Sequence, residues 1–422
     1  MPVVLGTLGH LSASMFNEKS KSSKTKSKFV PPQRNDVLTR ILQSISYVVV
    51  YLLYKTRLIV DESDVATVGA IADKRVVYLP NHSNLDDGLI MFLLSARVGQ
   101  LFNYVVAYEA FRGVIGKLMQ IVGAYSIRRG VGDRDSIVQT LQILQQPECK
   151  LVIFPEGGCS YQNDTVMPFR SGAVELSFKA MEKIAKKEDA VPDFYLVPVS
   201  INYKYKNTTN AEIDRGLKEL ETALNLPSKD DFYSRLRKIG DRVLTDLETE
   251  YGISAQSSDW NRRMDRLRKQ MLDYCEKQLN LVPAVTLPNR ERIYKVQSIL
   301  FFLDPGDRKP DIDYEHIYQT TVRLLNFDAI YDGYVADKPT KERFIATIDR
   351  LEREVFKLDR PKFKGWRQAI VKIGTPIDLK EYWQAYQNIP QTINKDLQLS
   401  SRSETIDYLN HKAQQIVQAN LN

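Results

Sequence analysis

Cysteine and histidine are scarce in this 422-residue chain, which holds three of the first and four of the second. Cys149, Cys159 and Cys275 show neither paired nor metal-type spacing. That excludes a disulfide scaffold and a zinc site, and suits a reducing compartment. His10, His82, His316 and His411 are the only imidazoles, so chemistry that needs one has few candidates. The chain has no G-x-S-x-G, and Gly113–Lys117 misses the spacing of a phosphate-binding loop. A hydrolase elbow and a nucleotide cradle are therefore unsupported. No internal period is apparent, which argues against a repeat scaffold.

Acidic residues are nearly missing from one end. Residues 1–60 hold nine Lys/Arg against Glu18 and Asp36, while the rest of the chain holds 50 of each sign. The net charge of +7 thus belongs to the N-terminal end, and the body has no surplus to attract nucleic acid. Residues 1–34 read as a disordered basic tail, because the Lys/Ser run from Lys19 to Lys28 cannot bury apolar surface. The start lacks the positive region of a secretory signal, and none is expected.

No apolar run is long enough to be a plain membrane span. Residues 35–58 predict a helix capped by Asn35 or Asp36, with a stripe of Val37, Leu38, Ile41, Leu42, Ile45, Val48, Val49 and Leu52. Its first half carries a polar face of Thr39, Arg40, Gln43, Ser44 and Ser46. Only 14 residues separate Arg40 from Lys55, whereas a span needs roughly 20. The expectation is an amphipathic helix lying in the interface or dipping into one leaflet, on the cytoplasmic face. The lysine cluster beside it would add attraction to anionic lipid. A core helix docked on the domain is the other reading.

From residue 75 short apolar strands (Val76–Leu79, Tyr104–Ala107, Ile121–Ile127, Leu151–Phe154, Tyr195–Tyr203) alternate with helices (Leu85–Ala96, Asp135–Gln146, Ala173–Ile184). That order predicts a layered α/β domain with a largely parallel sheet over residues 59–204 and 366–422. Between them, residues 205–365 read as a mainly helical insertion, with stripes at Ile213–Leu224, Leu236–Leu247 and Phe344–Val355. A strand at Ile370–Gly374 and a helix at Thr405–Ala419 close the domain.

Three polar clusters stand at strand ends, where ligands gather in α/β sheets. The first is Asn81-His82-Ser83-Asn84-Leu85-Asp86-Asp87. A histidine with a nearby carboxylate makes a general base, although Ser83 or Asn84 could equally cap the next helix. The second contains Arg128 and Arg129, which could clamp a phosphate or form a solvated pair. The third is Phe154-Pro155-Glu156-Gly157-Gly158-Cys159-Ser160, where two glycines free the backbone to approach a ligand and Glu156 could orient a substrate or an arginine.

Together these residues resemble the glycerolipid acyltransferase family. Its N-H-x4-D block matches Asn81, His82 and Asp87; G-x3-I-x-R matches Gly123, Ile127 and Arg129; F-P-E-G matches Phe154 to Gly157; and V-P-V matches Val197 to Val199. A downstream F-K/R-x-G-A is echoed by Phe169, Arg170, Gly172 and Ala173, and G-x-P-I-D-L by Gly374 to Leu379. The resemblance spans roughly residues 75–203 and 366–385. It implies His82 as base, Asp87 as its orienter, and Arg128, Arg129, Glu156, Gly157, Gly158, Ser160 and Arg170 around the substrate. It also implies an acyl donor (acyl-CoA or acyl-carrier protein) as co-substrate, with no metal or bound cofactor. The partners would be membrane lipid and a small phosphorylated acceptor, glycerol-3-phosphate or its 1-acyl form. One departure stands out. The family's usual E-G-T-R-S reads Glu156-Gly157-Gly158-Cys159-Ser160 here, like some glycerol-3-phosphate-type members, and leaves Arg128, Arg129 and Arg170 as the phosphate candidates. The rival readings are an acyltransferase for a non-phosphorylated acceptor and an inactive membrane-bound scaffold.

Overall fold

The computed structural model describes residues 29–422 apart from 206–209, 255–257, 389–390, 395–396 and 400. In chain order the elements are α1 (Asp36–Tyr54), β1 (Thr56–Val60), α2 (Glu62–Gly69), β2 (Arg75–Pro80), α3 (Asp87–Arg97), β3 (Asn103–Ala107), α4 (Gly113–Ile121), β4 (Ala124–Ile127), α5 (Arg134–Leu144), β5 (Lys150–Val152), α6 (Gly172–Glu188) and β6 (Phe194–Tyr205). Then follow α7 (Asn210–Leu224), α8 (Phe232–Glu250), α9 (Trp260–Gln278), α10 (Asn289–Phe302), α11 (Tyr314–Phe327) and α12 (Lys341–Val355). The chain ends with β7 (Arg367–Ile373), β8 (Ile377–Asp378), α13 (Trp383–Tyr386), β9 (Gln391–Asn394), β10 (Leu397–Leu399) and α14 (Arg402–Leu421).

Two compact units result. The α/β unit takes in the described residues up to Arg128, Gly132–Lys204 and Arg367–Asn422; the helical unit takes in Arg129–Val131 and Tyr205–Trp366. The α/β unit is built on an eight-stranded sheet ordered β1-β7-β6-β2-β5-β3-β4, with β8 beside β6. β6, β2, β5, β3 and β4 are mutually parallel, and β1 is parallel to β7. Gly374 N–H donates to Pro198 O while Arg367 lies over Tyr203, so β7 runs antiparallel to β6. Val76 to Leu79 are buried on both faces, as a central parallel strand requires. One face is covered by α5, α6 and α14 through Leu144, Phe178, Met181 and Leu409; the other by α1 to α4 through Val50, Ile90 and Leu94. The mixed α/β class and mostly parallel sheet expected from the alternation of elements are those of the structure. The expected strand Ile121–Ile127 begins only at Ala124, because Gly113–Ile121 is helical; β1 and α2 had no clear signal.

The expected disordered tail falls on residues 1–28, outside the described residues, save for its last six. Those six are fixed: Val30 N–H donates to Ser126 Oγ and Ser126 N–H to Val30 O, while Gln33 and Asn35 N–H reach Gln120 O and Ile121 O.

Helix α1 inverts the usual logic of a surface helix. Its polar residues Thr39, Gln43 and Ser46 are buried, and most of its apolar residues other than Val50 are turned outward, Val37 70% and Leu52 63% exposed. Gln43 Nε2 donates to Ser95 Oγ and Gln100 O, both at 2.9 Å; Thr39 Oγ1 donates to Ile121 O; Tyr47 Oη donates to Leu93 O. Of the polar face Thr39, Arg40, Gln43, Ser44 and Ser46, three residues are thus buried, while Arg40 and Ser44 stay exposed. The helix is docked on the domain, yet only 22% of its apolar stretch is buried.

In the helical unit, Asp231 and Asp259 cap α8 and α9, each accepting from two backbone N–H groups. Four residues past each cap stands an arginine, Arg235 or Arg263; Arg292 holds the same place after Pro288 on α10. Each reaches back with two nitrogens to a glutamate near the end of the preceding helix. Arg235 meets Glu221 at 2.7 and 2.8 Å, Arg263 meets Glu248 at 3.0 and 2.7 Å, and Arg292 meets Glu276 at 2.9 and 2.6 Å. These pairs recur at some 28 residues, so an internal period exists where none was expected. It lies in buried ion pairs and caps, not in an apolar repeat.

Candidate functional site

Strand β2 stops at Pro80, which has no N–H to continue the ladder. The Asn81 side chain continues it instead, accepting from Ile201 N–H at 2.7 Å and donating to Ile201 O at 3.1 Å. The asparagine of the first cluster is thus a backbone mimic that terminates the strand and turns the chain out at the carboxyl edge of the sheet.

His82 follows, its backbone clamped by the third cluster. Its N–H donates to Glu156 Oε1 at 2.6 Å, and its carbonyl accepts from Ser160 N–H at 2.7 Å. The imidazole lies 4.5 Å from the Phe154 ring. Nδ1 stands 3.0 Å from Asp87 Oδ2, with the histidine side chain 21% exposed and the aspartate 0%. With Nδ1–H donating to the carboxylate, Nε2 keeps a lone pair for an incoming proton.

Asp87 is the first residue of α3. The helix cap weighed against a catalytic pair turns out differently: Asp86 is the N-cap but makes no side-chain capping bond, while Asn84 Oδ1 accepts from Asp86 N–H. Asp87 Oδ2 also accepts from Asn84 N–H at 2.7 Å, and Oδ1 accepts from the Tyr203 phenol at 2.7 Å. Three partners thus meet the buried carboxylate, and both of its oxygens are engaged.

The other expected residues are divided. Glu156 braces two backbone groups, the N–H of His82 and, through Oε2, that of Met167 at 3.2 Å. Gly157 has φ +70°, and a Cβ there would lie 2.4 Å from Arg170 Cζ. Only glycine lets that guanidinium lie against the loop. Gly158 is buried between them in sequence, and Ser160 Oγ accepts from Gln162 N–H. Arg128 is engaged by Asp133, through its own N–H at 2.8 Å and its guanidinium at 3.0 Å. Arg129 belongs to the helical unit, its guanidinium 4.2 Å over the Tyr294 ring. The two adjacent arginines thus have different neighbours, and Arg170 is the one set against the Glu156 loop.

Sequence reasoning passed over four supports of this site. Tyr203 holds Asp87 from β6, and Arg367 holds Asp86 from β7. Asn163 accepts from Tyr203 N–H at 2.7 Å and donates to Tyr203 O at 2.8 Å, repeating the device of Asn81. On α14, Asn410, Gln414 and Gln418 grip the 164–169 loop by its backbone ahead of Arg170. Their i, i+4, i+8 spacing is the one signal that could have been read. Gly374, of the closing cluster, bonds Pro198 of the V-P-V strand, so those two clusters meet.

No curated protein matches the chain. Residues 59–202 match the family model described as Acyltransferase. That match covers the strands, loops and helix that hold His82, Asp87 and Glu156, and the chain thus carries over residues 59–202 an acyltransferase domain of the glycerolipid acyltransferase family.

Proposed function

We propose that this acyltransferase moves a fatty acyl group from acyl-CoA or acyl-carrier protein to a hydroxyl of a glycerol-phosphate-type acceptor, at the cytoplasmic face of a membrane, in phospholipid synthesis. The observation that carries the reading is the His82 Nδ1–Asp87 Oδ2 contact of 3.0 Å on a buried carboxylate at the edge of the sheet. His82 Nε2 takes the acceptor's hydroxyl proton as that oxygen attacks the thioester carbonyl. The tetrahedral intermediate collapses with loss of thiolate, which recovers the proton from the imidazolium. Ester and free thiol leave, and His82 is neutral again. General-base help of this kind contributes about 10²–10⁴-fold. The thioester is already activated, so the reaction needs no metal or bound cofactor.

Arg170 is our choice for the acceptor's phosphate, since it lies against Gly157 beside Glu156. Helix α1 supports the membrane assignment: against the expectation that it is too short to span, its 19 residues are by length and composition enough to cross a bilayer, and its outward Leu, Ile and Val side chains would each gain roughly 1.5–3 kcal/mol on full burial. Val114, Ile115 and Leu118 of α4 are exposed as well, and the last turn of that helix bonds Gln33, Asn35 and Thr39.

Purified protein in vesicles, one labelled acyl-CoA and a panel of acceptors test this directly. His82→Ala should abolish product while leaving the melting temperature unchanged; a folded variant with normal turnover would end the reading. One observation favours a second reading, a non-phosphorylated acceptor: Arg128 is already paired with Asp133, and Gly158-Cys159 supply no arginine. Arg170→Ala decides between them, because unchanged acceptor KM would mean that no phosphate is read there.

A further inference from the structure

The Asp87 carboxylate is held at both oxygens. Oδ2 takes the His82 imidazole and the Asn84 N–H, and Oδ1 takes the Tyr203 phenol at 2.7 Å. A carboxylate gripped on one oxygen can rotate about its last bond; gripped on both, it cannot. The imidazole that follows it is then fixed in tautomer and plane.

Tyr203 is itself locked. Its backbone N–H and C=O are both bonded by Asn163. Its ring lies under the Arg367 guanidinium, with Cζ 4.4 Å from the centroid. Arg367 is tied in turn to Thr56 Oγ1 at 2.9 Å and to Asp86. The charged groups facing the phenol are therefore Asp87 and Asp86 from the α3 turn and Arg367 from β7. Glu156 faces the backbone of His82 from the loop after β5. Burial, and then the charge of Asp87, push the Tyr203 phenol well above its ordinary range, so it keeps its proton and donates.

We infer that Tyr203 is a positioning residue for acyl transfer, its phenol fixing Asp87 so that His82 presents Nε2 to the acceptor. The inference rests on the catalytic reading of His82 given above. Removing the hydroxyl frees Oδ1, lets the carboxylate turn and leaves its charge less neutralised. The imidazole then holds a proton more tightly and is lost as a base at higher pH.

The test uses the full chain in vesicles with acyl-CoA and glycerol-3-phosphate. Tyr203→Phe should lower kcat about 10- to 100-fold, leave the acyl-CoA KM within about twofold, and move the acid limb of the kcat/KM profile upward. Placing 3,5-difluorotyrosine at position 203, a stronger donor of the same shape, should move that limb the other way. Independently of turnover, ¹⁵N spectra of the His82 ring, with His10, His316 and His411 replaced, should show one Nδ1–H tautomer in the parent and a mixture in Tyr203→Phe. A parent-like tautomer in Tyr203→Phe overturns the inference, as does a parent-like pH profile. Activity surviving in His82→Ala would instead overturn the reading on which it rests.

Discussion

Glu156 accepts the backbone N–H of His82 at 2.6 Å, across 74 residues of sequence. The loop after β5 therefore sets the position of the loop after β2. A glutamine at 156 could offer one oxygen, but its amide nitrogen would face the N–H of His82 or Met167. Glu156→Gln should thus cost about 1–3 kcal/mol of stability and lower kcat by more than tenfold. Melting temperature and turnover measured on the same sample check it; parent values for both would show the brace to be idle.

The inverted helix α1 makes a paired prediction. Val48→Asp with Leu52→Asp alters only outward side chains, so thermal melting should hold while flotation with anionic vesicles is lost. Gln43→Ala takes the side-chain donor from Gln100 O and from Ser95 Oγ, and should instead lower stability by about 1–3 kcal/mol with flotation retained. Equal loss of stability in both variants would refute the inversion.

The Glu–Arg ladder of the helical unit carries a pH signature. Burial opposes the Glu221 charge, but hydrogen bonds from Arg235 and Ser228 outweigh it and hold the carboxyl below its usual 4.5. A carboxyl held low in the fold contributes stability above its unfolded value and loses it as pH falls through the folded one. The helical unit should therefore weaken below about pH 4.5. Arg235→Met leaves the buried Glu221 with Ser228 but without its cation, costs roughly 3–5 kcal/mol at pH 7, and moves the onset of acid unfolding upward. Denaturant melts across pH 3–7 would show the same onset in both proteins if the ladder were inert.

The grip of α14 on the 164–169 loop should be visible in substrate affinity. Gln414→Ala with Gln418→Ala removes acceptors for Phe169 and Val166 N–H just ahead of Arg170. With Arg170 reading the acceptor, acceptor KM should rise about tenfold and acyl-CoA KM should stay near the parent value. A loss confined to kcat would place the loop in another role.

The strands that present the site were legible because buried parallel strands need continuous apolar runs, and Pro80 and Pro155 mark their exits. Strand β1 was not, because Thr56–Val60 continues an apolar stretch already claimed by α1. Helix α4 was hidden by its glycines, and the helical period by its residence in ion pairs. Asn163, Tyr203 and Arg367 carry no local mark at all; their roles exist only between elements far apart in sequence.

By itself the sequence determined the α/β class, the clusters at strand ends and the acyltransferase domain they signal, since these follow from local periodicity, turn chemistry and short motifs. Only the tertiary structure decided which face of α1 turns outward, which arginine lies by the Glu156 loop, and how Asp87 is held. Those depend on which groups meet across the sheet. The chain leaves the α/β unit just after Tyr203 and re-enters it at Arg367, and those two residues close over Asp87 and Asp86. Burial and hydrogen-bond satisfaction are properties of that meeting, and no stretch of the sequence contains them.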